Sequence, residues 1–175
     1  MSKLYSVLKV LHEINEAFDF NNIESLRIKK VNDTTYKSDD GSVEIIFQKV
    51  PIKDQNKNIK YSNFDDFYNV TFTVHDIDTQ AFKTNYEEFI RILKAVKNAV
   101  DNFVKTNRPE VLLFMSMDKS GQSIQTDSQK DKLYKYAVVK NLPIGYGFDY
   151  DVKPFNFTDM KGIVLYRKDI KLPIK

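Results

Sequence analysis

The sequence predicts an α/β domain built on a mixed, mostly antiparallel sheet, with one parallel strand–helix–strand crossover and helices on both faces of the sheet. Three observations carry that expectation. Several short segments alternate apolar with polar residues, as half-buried strands do. A long run, with Phe89, Leu93, Val96, Val100 and Phe103 at helical spacing, lies between two of them. The segment that follows, Val111-Leu112-Leu113-Phe114-Met115, is unbroken apolar chain, the pattern of a strand buried on both faces and usually paired in parallel.

Taken in order, Leu4, Val7, Leu8, Leu11, Ile14 and Phe18 recur at helical spacing behind Ser2, a residue able to cap a first turn. That helix is expected to end near Asn21-Asn22. Leu26 to Val31 alternates apolar with basic, and Val43, Ile45 and Phe47 alternate after Asp39-Asp40-Gly41. The two stretches read as one hairpin, Ser25–Tyr36 with Ser42–Pro51, because Gly41 supplies the positive φ such turns require. Lys53 to Ser62 is polar and reads as a surface loop. Tyr68 to His75 is a clean strand, with Val70, Phe72 and Val74 on one face and Thr71, Thr73 and His75 on the other.

Thr84 and Glu87 have the spacing of a capping box at the start of the long helix, and Asn107 with Pro109 ends it. A second capping box, Thr126 with Gln129, opens a helix carrying Leu133, Tyr134 and Ala137. Ile144–Tyr150 and Gly162–Arg167 read as closing strands. The unit from Tyr68 to Met115 is the parallel crossover, and short turns make the other strands antiparallel. With no internal repeat and no linker composition, residues 1–175 read as one domain.

Composition narrows the function. The chain of 175 residues is 42% hydrophobic and 13% aromatic, which suits a packed globular domain. It has no cysteine, which excludes disulfide frameworks, thiolate nucleophiles and cysteine-ligated zinc. No apolar run approaches the roughly 20 residues of a membrane span. Charges run through the first helical segment, unlike a signal-peptide core. A net charge of +3, from 27 basic and 24 acidic residues interleaved, argues against nucleic acid, whose binders concentrate charge on one face. Lysine and asparagine are abundant while arginine, alanine and glycine are scarce, the signature of a genome poor in G and C, as in many phages and some bacteria.

The order of elements, together with Leu133-Tyr134 on a helix and Gly147-Phe148 beyond it, resembles the GCN5-related N-acetyltransferase fold over roughly Ser25 to Lys168. The resemblance implies an acetyl-coenzyme A site in which Tyr134 protonates the leaving thiolate. The family cradles the cofactor pyrophosphate on glycine N–H groups at the start of the long helix. Here that turn runs from Asp76 to Thr84, has no glycine, holds Asp76 and Asp78 where anionic phosphates would sit, and adds the bulk of Phe82. The spacing from Tyr134 to Gly147 is also longer than the family's. The same combination looks like a loose group of small tailed-phage proteins with this fold and no cofactor loop.

The resemblance therefore implies a non-catalytic protein of a virion or host cytoplasm, acting through viral or host protein partners. It holds no cofactor or metal, and coenzyme A-dependent acyl transfer is the alternative. Residue by residue, His75, Asp76 and Asp78 form the one histidine–carboxylate cluster, but alternation turns the aspartates away from a shared site, so a polar strand end is the simpler account. Ser116, Ser120 and Ser123 follow the buried strand, where open sheets place ligands, without a nucleophile-elbow pattern. Tyr146, Phe148, Tyr150, Phe155 and Phe157 are a dense aromatic group. Of these, Tyr146, Phe148, Phe155 and Phe157 are the expected partner-binding surface, since aromatic side chains dominate interface energetics.

Overall fold

In a computed structural model of the chain, seven strands among the described residues join one sheet. They are β1 (Ile28–Asn32), β2 (Thr35–Ser38), β3 (Val43–Lys49), β4 (Phe67–Val74), β5 (Val111–Phe114), β6 (Tyr146–Val152) and β7 (Gly162–Arg167). The structure describes residues 22–50, 64–75, 86–114, 137–138, 140–152 and 162–170. The sheet order is β1-β2-β3-β4-β5-β7-β6. Every neighbouring pair is antiparallel except β4 with β5, which run in parallel from Phe67 opposite Val111 to Val70 opposite Phe114. Helix α1 (Tyr86–Asn107) lies between those two strands in the chain, so the expected strand–helix–strand unit is present.

Two elements differ from the expectation. Ser25–Tyr36 is not a single strand, because the chain reverses at Asp33-Thr34 and splits it into β1 and β2. The cause is local. The Asn32 side-chain oxygen accepts hydrogen bonds from the Thr34 N–H at 2.9 Å and the Thr34 hydroxyl at 3.2 Å, the side-chain mimic of a turn that Asn favours. Lys30 reaches Asp33 at 2.8 Å across the same reversal. The hairpin at Gly41 does form, but between β2 and β3, and Gly41 has φ 74°. A second difference is at β6. It begins at Tyr146, and Ile144 belongs to the turn before it.

Helix α1 shows why the long amphipathic run folds as it does. All of the expected stripe, Phe89, Leu93, Val96, Val100 and Phe103, is buried. So are Ile92, Ala95 and Ala99 beside it, so the helix is covered over a broader arc than one stripe. Glu87 and Glu88 in its first turn and Lys105 in its last complement the helix dipole. It ends at Asn107, after which Arg108 adopts φ 46° and returns its N–H to the Val104 carbonyl at 2.9 Å. The segment leading into β1 is tied to this helix, since Lys94 donates to the Ile23 carbonyl and Asn98 to the Ser25 hydroxyl at 3.1 Å.

The sheet face under α1 presents Tyr36, Val43, Ile45, Phe47, Val70, Leu112, Phe114, Ile163 and Leu165, all in one apolar cluster with the helix. At its centre the rings of Phe47 and Phe103 stack at 4.0 Å, 6° from parallel. Tyr68 meets Phe103 edge-on at 5.0 Å, and Tyr36 meets Phe47 edge-on at 5.7 Å. The opposite face has a smaller cluster of Phe64, Phe67, Val111, Leu113 and Val164. All four residues of β5 are thus buried, alternating between the two clusters, as the unbroken apolar run implies. The expected helices at Lys3–Phe18 and from Thr126 lie outside the described residues, except that Ala137, Val138 and Lys140 are helical. No helix among the described residues is long and apolar enough to cross a membrane.

Phe103 joins helix to sheet through two ring contacts at once. Phe103→Ala is expected to lower unfolding free energy by about 3–5 kcal/mol, read as a reduced urea midpoint at unchanged slope. A loss under about 1 kcal/mol would show that the stack is not central to the core.

Candidate functional site

At one end of the sheet, the chain enters β6 through a turn that Pro143, Ile144, Gly145 and Tyr146 make. The Tyr146 N–H donates to the Pro143 carbonyl at 3.1 Å, and Gly145 has φ 84° at the third position, the geometry of a type II turn. The Lys168 N–H donates to the Gly145 carbonyl at 2.9 Å, which fastens the turn to the chain leaving β7. The turn points its two flanking side chains inward and its corner outward. Pro143 and Tyr146 are buried, whereas Ile144 stands fully exposed.

Tyr146 is held in the core. Its hydroxyl donates to the Pro109 carbonyl, and burial pushes its pKa up to about 12. Arg167 braces the same corner, donating to the Arg108 carbonyl at 3.0 Å and to Asp169 at 2.9 Å. Phe148 shares the Tyr146 face of β6 and is half-buried against the large cluster. Tyr166 lies across the other face. A Cβ on Gly147 would stand 2.7 Å from its ring, so a larger residue there would have to displace the Tyr166 ring. Among the expected partner-binding residues, the structure therefore brings Tyr146 and Phe148 together facing the core. Phe155 and Phe157 lie outside the described residues, as do Tyr134, Ser116, Ser120 and Ser123. The exposed apolar group at this end is Ile144, which the sequence reading absorbed into a strand. Its signal was the Pro-Ile-Gly sequence, because a glycine marks the third position of a type II turn and so places Ile144 at the turn's corner, outside the strand.

The opposite end of the sheet holds the carboxyl ends of the parallel pair, where open α/β sheets place ligands. His75 follows β4 there, with its N–H on the Ser42 carbonyl at 2.7 Å. Its ring Nε2 is 3.9 Å from the Glu44 carboxylate, which also receives Lys37 at 3.0 Å. These three side chains share the face away from α1, which the registers of β2, β3 and β4 require. Asp76 and Asp78 lie outside the described residues, and the described residues contain no group of three side chains able to hold a metal.

Beside them, the β2–β3 turn is built on Asp40. One of its carboxylate oxygens accepts the Ser38 hydroxyl at 2.6 Å, the Ser42 hydroxyl at 2.7 Å and the Ser42 N–H at 3.0 Å. These hydrogen bonds, the Ser38 hydroxyl foremost, hold its pKa at about 2, below the ordinary 3.8. Ser38 is buried and also accepts the Val43 N–H at 2.9 Å, so the network sets the start of β3.

Midway along β4, Asn69 occupies the face away from α1, directly opposite Leu113 of β5. Its side-chain oxygen is buried and receives no hydrogen bond from the described residues. A buried acceptor left unpaired costs about 1–3 kcal/mol, which sets the scale of what replacing Asn69 would recover beside the apolar face of β5.

Two expected outcomes follow from these groups. Because the folded pKa of Asp40 is lowered, its contribution is present above the unfolded value near 3.8 and is lost as pH falls toward about 2. Asp40→Asn should flatten the decline of the urea midpoint between those limits, and identical slopes in both proteins would remove Asp40 as a source of acid sensitivity. Asn69→Leu should raise stability by about 1 kcal/mol in equilibrium unfolding, since it removes the unpaired acceptor and extends the Leu113 cluster. A destabilised Asn69→Leu protein would mean that the amide is satisfied in solution.

No family model, no curated protein and no solved structure matches this chain.

Proposed function

We propose that the chain is a non-catalytic protein with an acetyltransferase-like scaffold and helices on both faces of its sheet, acting through protein–protein contacts as a virion-associated or host-interaction component of a phage. Support for the scaffold comes from the one parallel pair among the described strands, β4 with β5, separated in sequence by α1. Support for a contact function rests on one observation, the fully exposed Ile144 at the corner of a turn pinned from both sides. A rigid aliphatic side chain gives up little entropy on being covered, so such a corner is suited to fill a pocket on a partner. Half-buried Phe148 lies on the adjoining strand, and Phe155 and Phe157 follow that strand in the sequence.

Coenzyme A-dependent acyl transfer is the second reading, favoured by the crossover unit and by Leu133-Tyr134. Against it stands the chemistry of the segment from Asp76 to Thr84. Two carboxylates oppose a pyrophosphate, and no glycine lets the backbone close around it.

One pair of measurements separates the readings. Cross-linking in purified virions or infected cells should join the chain to a defined structural or host protein, and Ile144→Asp should abolish the cross-link at unchanged melting temperature. Calorimetric titration with acetyl-coenzyme A at low ionic strength, where screening is weakest, should show no useful affinity. A low-micromolar dissociation constant, with turnover lost but binding kept in Tyr134→Phe, would replace the contact function with catalysis.

A further inference from the structure

The two outer strands of the sheet are β1 and β6, and they carry opposite charge. Arg27, Lys29 and Lys30 lie in or beside β1, whereas Asp149 and Asp151 lie in β6. The exposed large apolar residues among those described are Val31 in β1 and Ile144 before β6. Val31 lies at the end of β1 that meets the start of β2, level with Thr71 and Phe72 in the middle of β4, whereas Ile144 precedes the start of β6, which lies level with the start of β5.

An outer strand offers a row of backbone donors and acceptors to another chain, and charges along it act as a guard. Here the guard is selective. Pairing β1 with β1 sets Lys29 and Lys30 against their own copies, and pairing β6 with β6 does the same for Asp149. Pairing β1 with β6 sets unlike charges together.

We propose that copies of this chain associate head to tail, the β6 edge of one copy extending the sheet of the next at its β1 edge. The strand directions permit it without distortion. Three antiparallel steps separate β1 from β4, while β6 runs parallel to β5 and β4, so a translated copy presents β6 antiparallel to β1. Opposite residues in an antiparallel pair share a face. Lys29 lies on the face of Lys37, away from α1, and Asp149 lies on the corresponding face with Val164. The register that sets Lys29 opposite Asp149 also sets Lys30 opposite Phe148, and beyond them brings Val31 beside Gly147, where the Tyr166 ring covers the strand. The irregularities in β1 after Lys30 and in β6 after Asp149 confine the paired segment to these few residues. The contact uses a different patch on each copy, so it grows beyond a dimer into a ring or an open chain.

This inference rests on β6 being a contact edge but names a second copy as the occupant. Sedimentation velocity of the full chain at low salt is expected to show mass rising with concentration past the dimer, and weakening as salt is raised. Lys29→Glu and Asp149→Lys should each weaken self-association by about tenfold or more, and an equimolar mixture of the two variants should recover it. A wild-type monomer across the concentration range, a series that stops at the dimer, or a Lys29→Glu protein that assembles like wild type would each overturn the proposal. Lys29 is exposed on β1, remote from Ile144, so Lys29→Glu is expected to keep the partner cross-link. Loss of self-association alone in that variant, or loss of the cross-link alone in Ile144→Asp, tells the failure of one reading from the failure of the other.

Discussion

Parallel strands cannot be joined by a turn, and the pairing of β4 with β5 therefore governs the molecule. The chain must leave the end of β4, travel the length of the sheet and re-enter at the start of β5, and α1 is the element that makes the return. Once α1 lies on the sheet, one face of β3, β4, β5 and β7 is committed to it, and the Phe47, Phe103 and Tyr68 rings fill the contact. β5, central and flanked on both sides, has no polar residue because neither of its faces meets water. The turn at Arg108, the brace of Arg167 and the inward Tyr146 all serve the point where the returning chain enters β5.

The elements that could be read from the sequence are those whose pattern reflects a two-sided environment. Val111–Phe114, Val70-Phe72-Val74 and the α1 stripe each announce how they are covered, and each is found where the pattern puts it. The break between β1 and β2 was hidden because Lys29, Lys30 and Val31 are on an outer strand, where burial imposes little pattern and a side-chain turn at Asn32 decides the path. The strand order was hidden for a different reason. Nothing in Ile144–Tyr150 or Gly162–Arg167 says which of the two lies beside β5. Apolar content gives the answer only afterwards, since β7 reads Gly-Ile-Val-Leu and β6 carries Asp149 and Asp151.

The candidate site was legible in part. Tyr146 and Phe148 were singled out for their aromatic character, but alternation along β6 turns them to the core. For these two residues, residue type showed the apolar character but not the direction. Direction is set by the Gly145 turn, and the exposed group it creates is aliphatic. The Lys37, Glu44 and His75 grouping was likewise invisible in the sequence, because its members come together only through the pairing of three strands.

The crossing of the last two strands has a consequence for how the chain is made. β6 precedes β7 in the sequence but touches the sheet only through it. As the polypeptide leaves the ribosome, β1 to β5 and α1 can associate while β6 still has nothing to pair with. It must wait for Gly162–Arg167 to emerge and lie against β5 before it can join at the rim. In that interval the nascent chain exposes one side of β5, with Val111, Leu112, Leu113 and Phe114 along it, to any strand that reaches it first. The charges of Asp149 and Asp151 make β6 a poor competitor for that apolar position, and so help the later strand to take it.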